Sequence, residues 1–230
     1  ATAFVSIHGG LTRVPHAQAD GGTFIYDWGG IRWAKELGST PYDTAVSGEY
    51  NPDGRRWLLY RSRAEAHNTI VINPDNNSGH NIDSSAYLTR VESKNKGSIA
   101  VLNMTELYRD NASSAIRGFF FTDDRSSLVV RDEISLIKAD STVYWFMQTD
   151  ATVKIIEDGK AALLTKNGKQ VRLDFEITGT ATAQLAVGPS TRALLDSMSP
   201  VDFKGDTQDP GTNRIHIKLS GAEGDVSITV

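Results

Sequence analysis

Hydrophobic positions along the chain fall in short runs that alternate with polar residues, the two-residue period of β-strands. These runs are rich in β-branched and aromatic residues, and Asp-Gly and Asn-Gly pairs separate some of them. No segment has the sustained period of a long amphipathic helix. The clearest predicted strands are residues 3–7, 23–28, 31–34, 69–72, 86–91, 99–103, 116–122, 128–134 and 142–148. The pattern predicts an all-β protein, a layered antiparallel β-sandwich.

The residue composition of the predicted strands changes near residue 150. The run 142–148 has Trp145 on one face and Phe146 on the other, which is typical of a strand buried between two layers. After it the runs are plainer, at 153–156, 161–164, 171–177, 215–219 and 226–230, with a long polar connection over 189–211. We therefore predict a main sandwich over residues 1–150 and a plainer β region over 151–230, continuous with the first or packed on it.

Composition narrows the classes of function. The net charge of −4 and the lack of a basic run argue against nucleic acid as a partner. The absence of cysteine removes disulfides and thiol catalysis. No apolar stretch approaches the roughly 20 residues of a membrane helix, so we expect no membrane partner. The chain starts at Ala1 without Met or a signal peptide, and we expect a processed chain or a piece of a longer one.

Two polar segments that contain histidine each adjoin a predicted strand. In the first, His16, Gln18 and Asp20 occupy alternating positions, so an extended backbone would place all three on one face. The second runs from Arg61 to His67 and continues as Asn-Thr-Ile. We predict that the two segments converge to form one site.

The order and spacing of these segments resemble the C-terminal β-sandwich region of the heparinase II/III-like polysaccharide lyases, and are most similar to the heparinase II-like members. The resemblance covers about residues 4–150. It rests on His16-x-x-x-Asp20-Gly-Gly-Thr-Phe24, Gly30-Ile-Arg-Trp33-Ala-x-Glu36-Leu-Gly38, Tyr42, Arg56-Trp57-x-x-Tyr60-Arg61, His67-Asn68-Thr69-Ile70 and Asp132-Glu133-Ile134.

The resemblance implies a two-part enzyme. In the family, an N-terminal α/α-toroid supplies a Tyr and an amide or His, and the sandwich supplies a His across the cleft. His16 matches that catalytic His. The implied reaction is β-elimination on a uronic-acid-containing polysaccharide, in which a base removes the C5 proton and an acid assists departure of O4. An imidazole suits proton transfer near neutral pH. The toroid is absent here, so this chain alone is expected to be inactive.

The resemblance also implies a metal position. Gln18, Glu36 and His67 fall where heparinase II-like members hold a structural zinc. Glutamate and histidine are good zinc ligands, but glutamine is a poor one. The alternative is direct hydrogen bonding among these three side chains, since a buried polar cluster must be satisfied.

Other residues have candidate roles beside simpler structural ones. Asp20 is expected to orient the His16 loop. Arg13, Arg61 and Arg63 are candidates for binding an anionic sugar, because guanidinium pairs with carboxylate or sulfate, and ordinary salt bridging is the alternative for each. Tyr42 is a candidate substrate contact, with packing beneath the loop 47–55 as its alternative.

Two other functions fit the same residues. One is a non-catalytic carbohydrate-binding or scaffolding β-sandwich, because this fold hosts many functions. The other is a metal hydrolase built on His16, Asp20 and His67, whose ligand set is incomplete without Gln18 or Glu36. Because such polymer substrates usually meet their enzymes in the periplasm or outside the cell, we expect one of these locations.

Overall fold

The computed structural model describes residues 2–41, 46, 48–75, 77–192 and 206–230. Within these ranges the prediction of an all-β protein is confirmed, with fifteen strands and five short 3-10 helices. No helix in the described part of the chain is long and apolar enough to cross a membrane. The strands are β1 (Ala3–Ile7), β2 (Gly10–Leu11), β3 (Phe24–Trp28), β4 (Ile31–Ala34), β5 (Ile70–Ile72), β6 (Ser85–Lys94), β7 (Gly97–Asn103), β8 (Ala112–Thr122), β9 (Leu128–Leu136), β10 (Ser141–Thr149), β11 (Thr152–Ile156), β12 (Ala161–Lys166), β13 (Lys169–Asp174), β14 (Glu176–Ser190) and β15 (Asp209–Thr229).

The strands form three antiparallel sheets. The largest has nine strands in the order β2-β6-β7-β8-β9-β15-β10-β5, with β14 also paired to β15. Two three-stranded sheets have the orders β1-β3-β4 and β11-β12-β13. The 3-10 helices are Arg55–Leu58, Tyr60–Ser62, Ala64–Ala66, Thr105–Tyr108 and Glu157–Gly159.

Strand β15 corrects the sequence interpretation of the C-terminal region. The runs 215–219 and 226–230 appear in the sequence as separate strands, but they belong to one strand of 21 residues. Gly221 and Gly224 have φ of +67° and +60°, and these left-handed conformations let the strand bend without ending. Its first half pairs with β10 and its second half with β9. Residues from beyond position 150 therefore complete the same sheet as residues before it.

The core lies between the large sheet and the smaller ones. Phe24 of β3 packs against Phe119 of β8 and Trp145 of β10, with ring centroids 5.9 and 6.1 Å apart. On the other face of β10, Tyr144 and Phe146 stack with their planes 6° apart. Strand β10 is thus buried on both faces, as its sequence predicts.

The two connections that carry the candidate residues run beside this core. Residues 12–23 link β2 to β3, and residues 35–69 link β4 to β5 and contain the first three 3-10 helices. Both connections therefore join the large sheet to the small one, the first from β2 and the second to β5, which are the two edge strands of the large sheet.

Candidate active site

The segment 16–20 is not an extended strand, which corrects the expectation that its alternating side chains share one face. Pro15 and His16 form a turn, and His16 has φ of +70°, a left-handed conformation that few non-glycine residues adopt. His16 is exposed, whereas Gln18 and Asp20 are half-buried.

Neighbouring loops hold the backbone on both sides of His16. The His16 N–H donates to the Tyr50 hydroxyl at 3.0 Å. The Ala17 carbonyl accepts from Arg56 Nη2 at 2.8 Å and from Nε at 3.2 Å. The Ala19 N–H donates to the Ser62 carbonyl at 2.9 Å. The loop that presents His16 is therefore fixed by main-chain hydrogen bonds.

Tyr50 and Arg56 are the residues of this loop environment that the sequence analysis missed. The Arg56 guanidinium lies 4.7 Å from the centre of the Tyr50 ring, a cation–π arrangement. Arg56 belongs to the Arg56-Trp57 motif, which was the available signal, but no local pattern connects it to residue 17. Tyr50 carries no recognisable signal.

Glu36 and His67 form a direct ion pair. The Glu36 Oε2 contacts His67 Nδ1, and the His67 Nε2–H donates to the Arg61 carbonyl at 3.1 Å. Burial alone would lower the pKa of His67, but the charge and hydrogen bond of Glu36 raise it above its usual value. Burial alone would raise the pKa of Glu36, but His67 and the Thr23 hydroxyl, 2.5 Å from Oε1, lower it. The pair is therefore an imidazolium and a carboxylate.

The zinc that the resemblance implies does not fit this arrangement. A histidine binds zinc through an unprotonated ring nitrogen, and both nitrogens of His67 are occupied by Glu36 and the Arg61 carbonyl. The Gln18 amide instead lies 3.4 Å from the Gly38 carbonyl. Among the described residues, no group of three or more His, Asp or Glu side chains is placed to hold a metal ion. The Glu36–His67 contact is a direct hydrogen bond of the kind that the alternative to a metal requires.

The side chains of Asn68 and Thr69 tie the two histidine segments together. The Asn68 amide donates to the Phe24 and Lys35 carbonyls at 2.7 and 2.9 Å. The Thr69 hydroxyl donates to the Gly21 carbonyl at 2.8 Å. The Asn68 N–H donates to the Thr23 hydroxyl at 3.0 Å. The two segments are thus neighbours in space.

Asp20 lies between these groups. Its Oδ1 is 3.6 Å from His8 Nε2, and its negative charge contributes to raising the pKa of His67. Its carbonyl accepts the Thr23 N–H at 3.0 Å and so closes the turn before β3. These contacts are those expected of a residue that shapes the loop, and its orienting role stays a prediction.

The three candidate arginines differ in their surroundings. Arg13 is exposed and bonds to Asp83 at 2.8 Å and Asn51 at 3.1 Å. Arg61 is mostly buried, and its Nη1 donates to the Leu37 carbonyl at 2.7 Å.

Arg63 is buried and paired with Glu65 at 2.9 Å, and its Nη2 donates to the Asp75 carbonyl at 2.8 Å. This burial favours a structural role for Arg63 over the substrate contact suggested by the sequence. Tyr42 lies outside the described residues.

The family model that describes the C-terminal region of heparinase II/III-like proteins matches residues 2–211. The chain belongs to the heparinase II/III-like family. Within that family it corresponds to the C-terminal domain. No curated protein sequence matches the chain.

Solved heparinase structures share this fold. Heparinase III, the BT4657 gene product, aligns with a TM-score of 0.66 and 16% identity over 98% of this chain and 32% of its own. Heparan sulfate lyase HepC from Pedobacter heparinus aligns with a TM-score of 0.63 and 16% identity over 96% of this chain and 32% of its own. A further heparinase III aligns with a TM-score of 0.62 and 20% identity over 93% of this chain and 29% of its own. The chain therefore spans about a third of the length of these proteins.

Proposed function

We propose that this domain is the β-sandwich half of a lyase that cleaves a uronic-acid-containing polysaccharide by β-elimination. The observation that carries the proposal is the exposed His16 on a loop whose backbone is fixed on both sides. A proton-transfer group must be accessible to a polymer and yet held in one position, since misplacement by about 1 Å costs orders of magnitude in rate. A histidine that only closed a surface turn would not need this anchoring.

His16 has the role of the group that moves a proton. As a base, it takes the proton from C5 of the uronate. The electron pair of the broken C5–H bond becomes the C4–C5 double bond, and the C4–O4 bond breaks. A second group then supplies a proton to the departing O4, or His16 returns it. The exposed Arg13 lies three residues before His16 and bonds to Asn51, the neighbour of Tyr50. Arg13 is therefore the candidate contact for an anionic sugar.

The remaining groups of the reaction belong to a helical domain outside these residues. An acid and a group that neutralises the uronate carboxylate are both needed, and catalysis requires all of them together. The chain covers about a third of the length of its structural relatives, which leaves room for such a domain. The isolated chain should accordingly have no lyase activity. A polymer substrate implies that the enzyme works in the periplasm or outside the cell.

The test is replacement of His16 in the full-length enzyme. His16→Ala should reduce the growth of ultraviolet absorbance from the unsaturated product to background, while substrate binding changes little. Arg131→Ala is the matched control, because Arg131 is exposed on β9 and pairs there with Glu133 and Thr229.

Full activity of His16→Ala would eliminate the assignment. If instead the isolated chain binds an acidic polysaccharide firmly and keeps that binding after loss of His16, the domain is a carbohydrate-binding module.

A further inference from the structure

A buried ion pair in the large sheet contacts both histidine segments. Arg117 of β8 and Asp132 of β9 are fully buried, and they form two parallel hydrogen bonds, Nε to Oδ1 at 2.7 Å and Nη2 to Oδ2 at 2.8 Å. The two residues face each other across the strands in register. Asp132 lies in the Asp132-Glu133-Ile134 motif, which the proposed chemistry does not otherwise use.

The third guanidinium nitrogen of Arg117 joins the two connections. Its Nη1 donates to the Gly22 carbonyl at 2.7 Å and to the Asn68 carbonyl at 2.8 Å. Gly22 follows the His16 loop, and Asn68 follows His67 directly. The planar Arg117 guanidinium of the large sheet therefore fixes the distance between the two segments.

The chain at Gly21-Gly22 is shaped to reach this group. Gly22 has φ of +84°, and a Cβ there would overlap the Met104 sulfur. A Cβ on Gly21 would lie 2.5 Å from a methyl carbon of Leu107. Only glycine permits such a close approach of backbone to the sheet. The Thr69 hydroxyl then adds its own bond to the Gly21 carbonyl.

Stability alone does not account for an ion pair buried at this place. Apolar side chains of similar volume often stabilise a core as well as a buried ion pair does. An apolar residue, however, cannot donate to two carbonyls that belong to different connections. Arginine presents its donors in a rigid fork, whereas lysine has one nitrogen on a flexible stem. Asp132 uses two of these donors and so fixes the direction of the others.

We propose that Arg117, Asp132 and Thr69 form a clamp that positions the His16 loop against the His67 segment for catalysis. This inference rests on the proposed role of His16. None of the three touches the reacting atoms, so they are positioning residues.

The test uses the full-length lyase with Arg117→Lys, Asp132→Asn and Thr69→Val, the last of which removes a single hydroxyl. Each variant should lower kcat at least about tenfold, because the His16 loop shifts. KM should stay within about twofold, because Arg13 keeps its bonds to Asp83 and Asn51, which the variants do not touch. The thermal unfolding amplitude should match the parent, so that a smaller folded fraction does not account for the loss. Arg131→Lys, one residue from Asp132 but exposed, should keep the parental kcat.

The outcomes separate the clamp from the proposed function. If His16→Ala is inactive but the folded clamp variants keep the parental kcat, the clamp is wrong and the lyase assignment stands. If His16→Ala is fully active, the assignment itself fails. Should both charge variants fail to fold, Thr69→Val decides, and an unchanged kcat for it overturns the clamp.

Discussion

The buried His80 makes the stability of this domain sensitive to acid. Its Nε2 lies 2.8 Å from the Tyr108 oxygen, and the Tyr108 hydroxyl donates to the Ile70 carbonyl at 2.8 Å. His80 must therefore carry its proton on Nε2. Its Nδ1 is buried and has no hydrogen-bond partner among the residues that the structure describes. Protonation of Nδ1 would create a buried, unpaired charge.

The size of the effect follows from the pKa of His80. Burial lowers it from 6.5 to about 3, and the positive charges of His67 and Arg117 contribute in the same direction. Between these two values the unfolded chain binds a proton that the folded chain does not. Stability therefore falls as the pH falls below 6.5. The loss is about 2 kcal/mol at pH 5 and about 3 kcal/mol at pH 4.

The Glu36–His67 pair has different pH windows. The pKa of His67 is raised, so its stabilisation is fully present below 6.5 and is lost as the pH rises through the folded value. The pKa of Glu36 is lowered, so its stabilisation is present above 4.5 and is lost as the pH falls through the folded value. The half-buried His216, whose pKa burial lowers to about 4, titrates in the same range as His80. A pH curve of the parent therefore mixes several titrations, and only a variant isolates His80.

The assay compares urea unfolding of the parent and His80→Gln, followed by tryptophan fluorescence. A glutamine amide can still donate to Tyr108 but does not titrate. Between pH 7.5 and pH 5, the parent should lose about 2 kcal/mol relative to His80→Gln. The control is His8→Gln, because His8 is exposed and lies outside the core. Parallel pH dependence of parent and His80→Gln would refute the argument.

Three further predictions concern the metal position, the ion pair and the core. Extended dialysis against a chelator should leave the activity of the full-length enzyme and its unfolding midpoint unchanged, and elemental analysis should find no stoichiometric zinc at this position. Glu36→Gln should lower the free energy of unfolding by about 1–3 kcal/mol, because it leaves the buried His67 without its counter-charge. The loss is limited because Glu36 is partly exposed and solvent screens the pair. Equal denaturation midpoints for the variant and the parent would contradict this prediction. Leu102→Ala should lower the free energy of unfolding by about 3 kcal/mol, because Leu102 is fully buried. Leu88 is the exposed residue opposite Leu102 in the β6–β7 pair, and Leu88→Ala should change the free energy of unfolding by less than about 0.5 kcal/mol.

Local pattern predicted the strands well because each depends on the alternation of its own residues. The run 142–148 is such a case, since its apolar residues on both faces require cover on both faces. The same reasoning failed at His16. The alternation of His16, Gln18 and Asp20 has the period of a strand, but Pro15 and the bonds to Tyr50 and Arg56 impose a turn.

The amino-acid sequence by itself determined the fold class, the family and the two histidine segments, because these follow from periodicity and from the order of short motifs. Only the tertiary structure decided which residues of the two segments are in contact and which groups hold the segments together. It showed that Glu36 contacts His67, that Arg63 is buried beside Glu65, and that Arg117 bonds to the Gly22 and Asn68 carbonyls. The residues of these pairs lie from 2 to 95 positions apart in the sequence. Such pairings depend on where the sheets place the chain, and burial and partner geometry then set the charge and hydrogen bonds of each group.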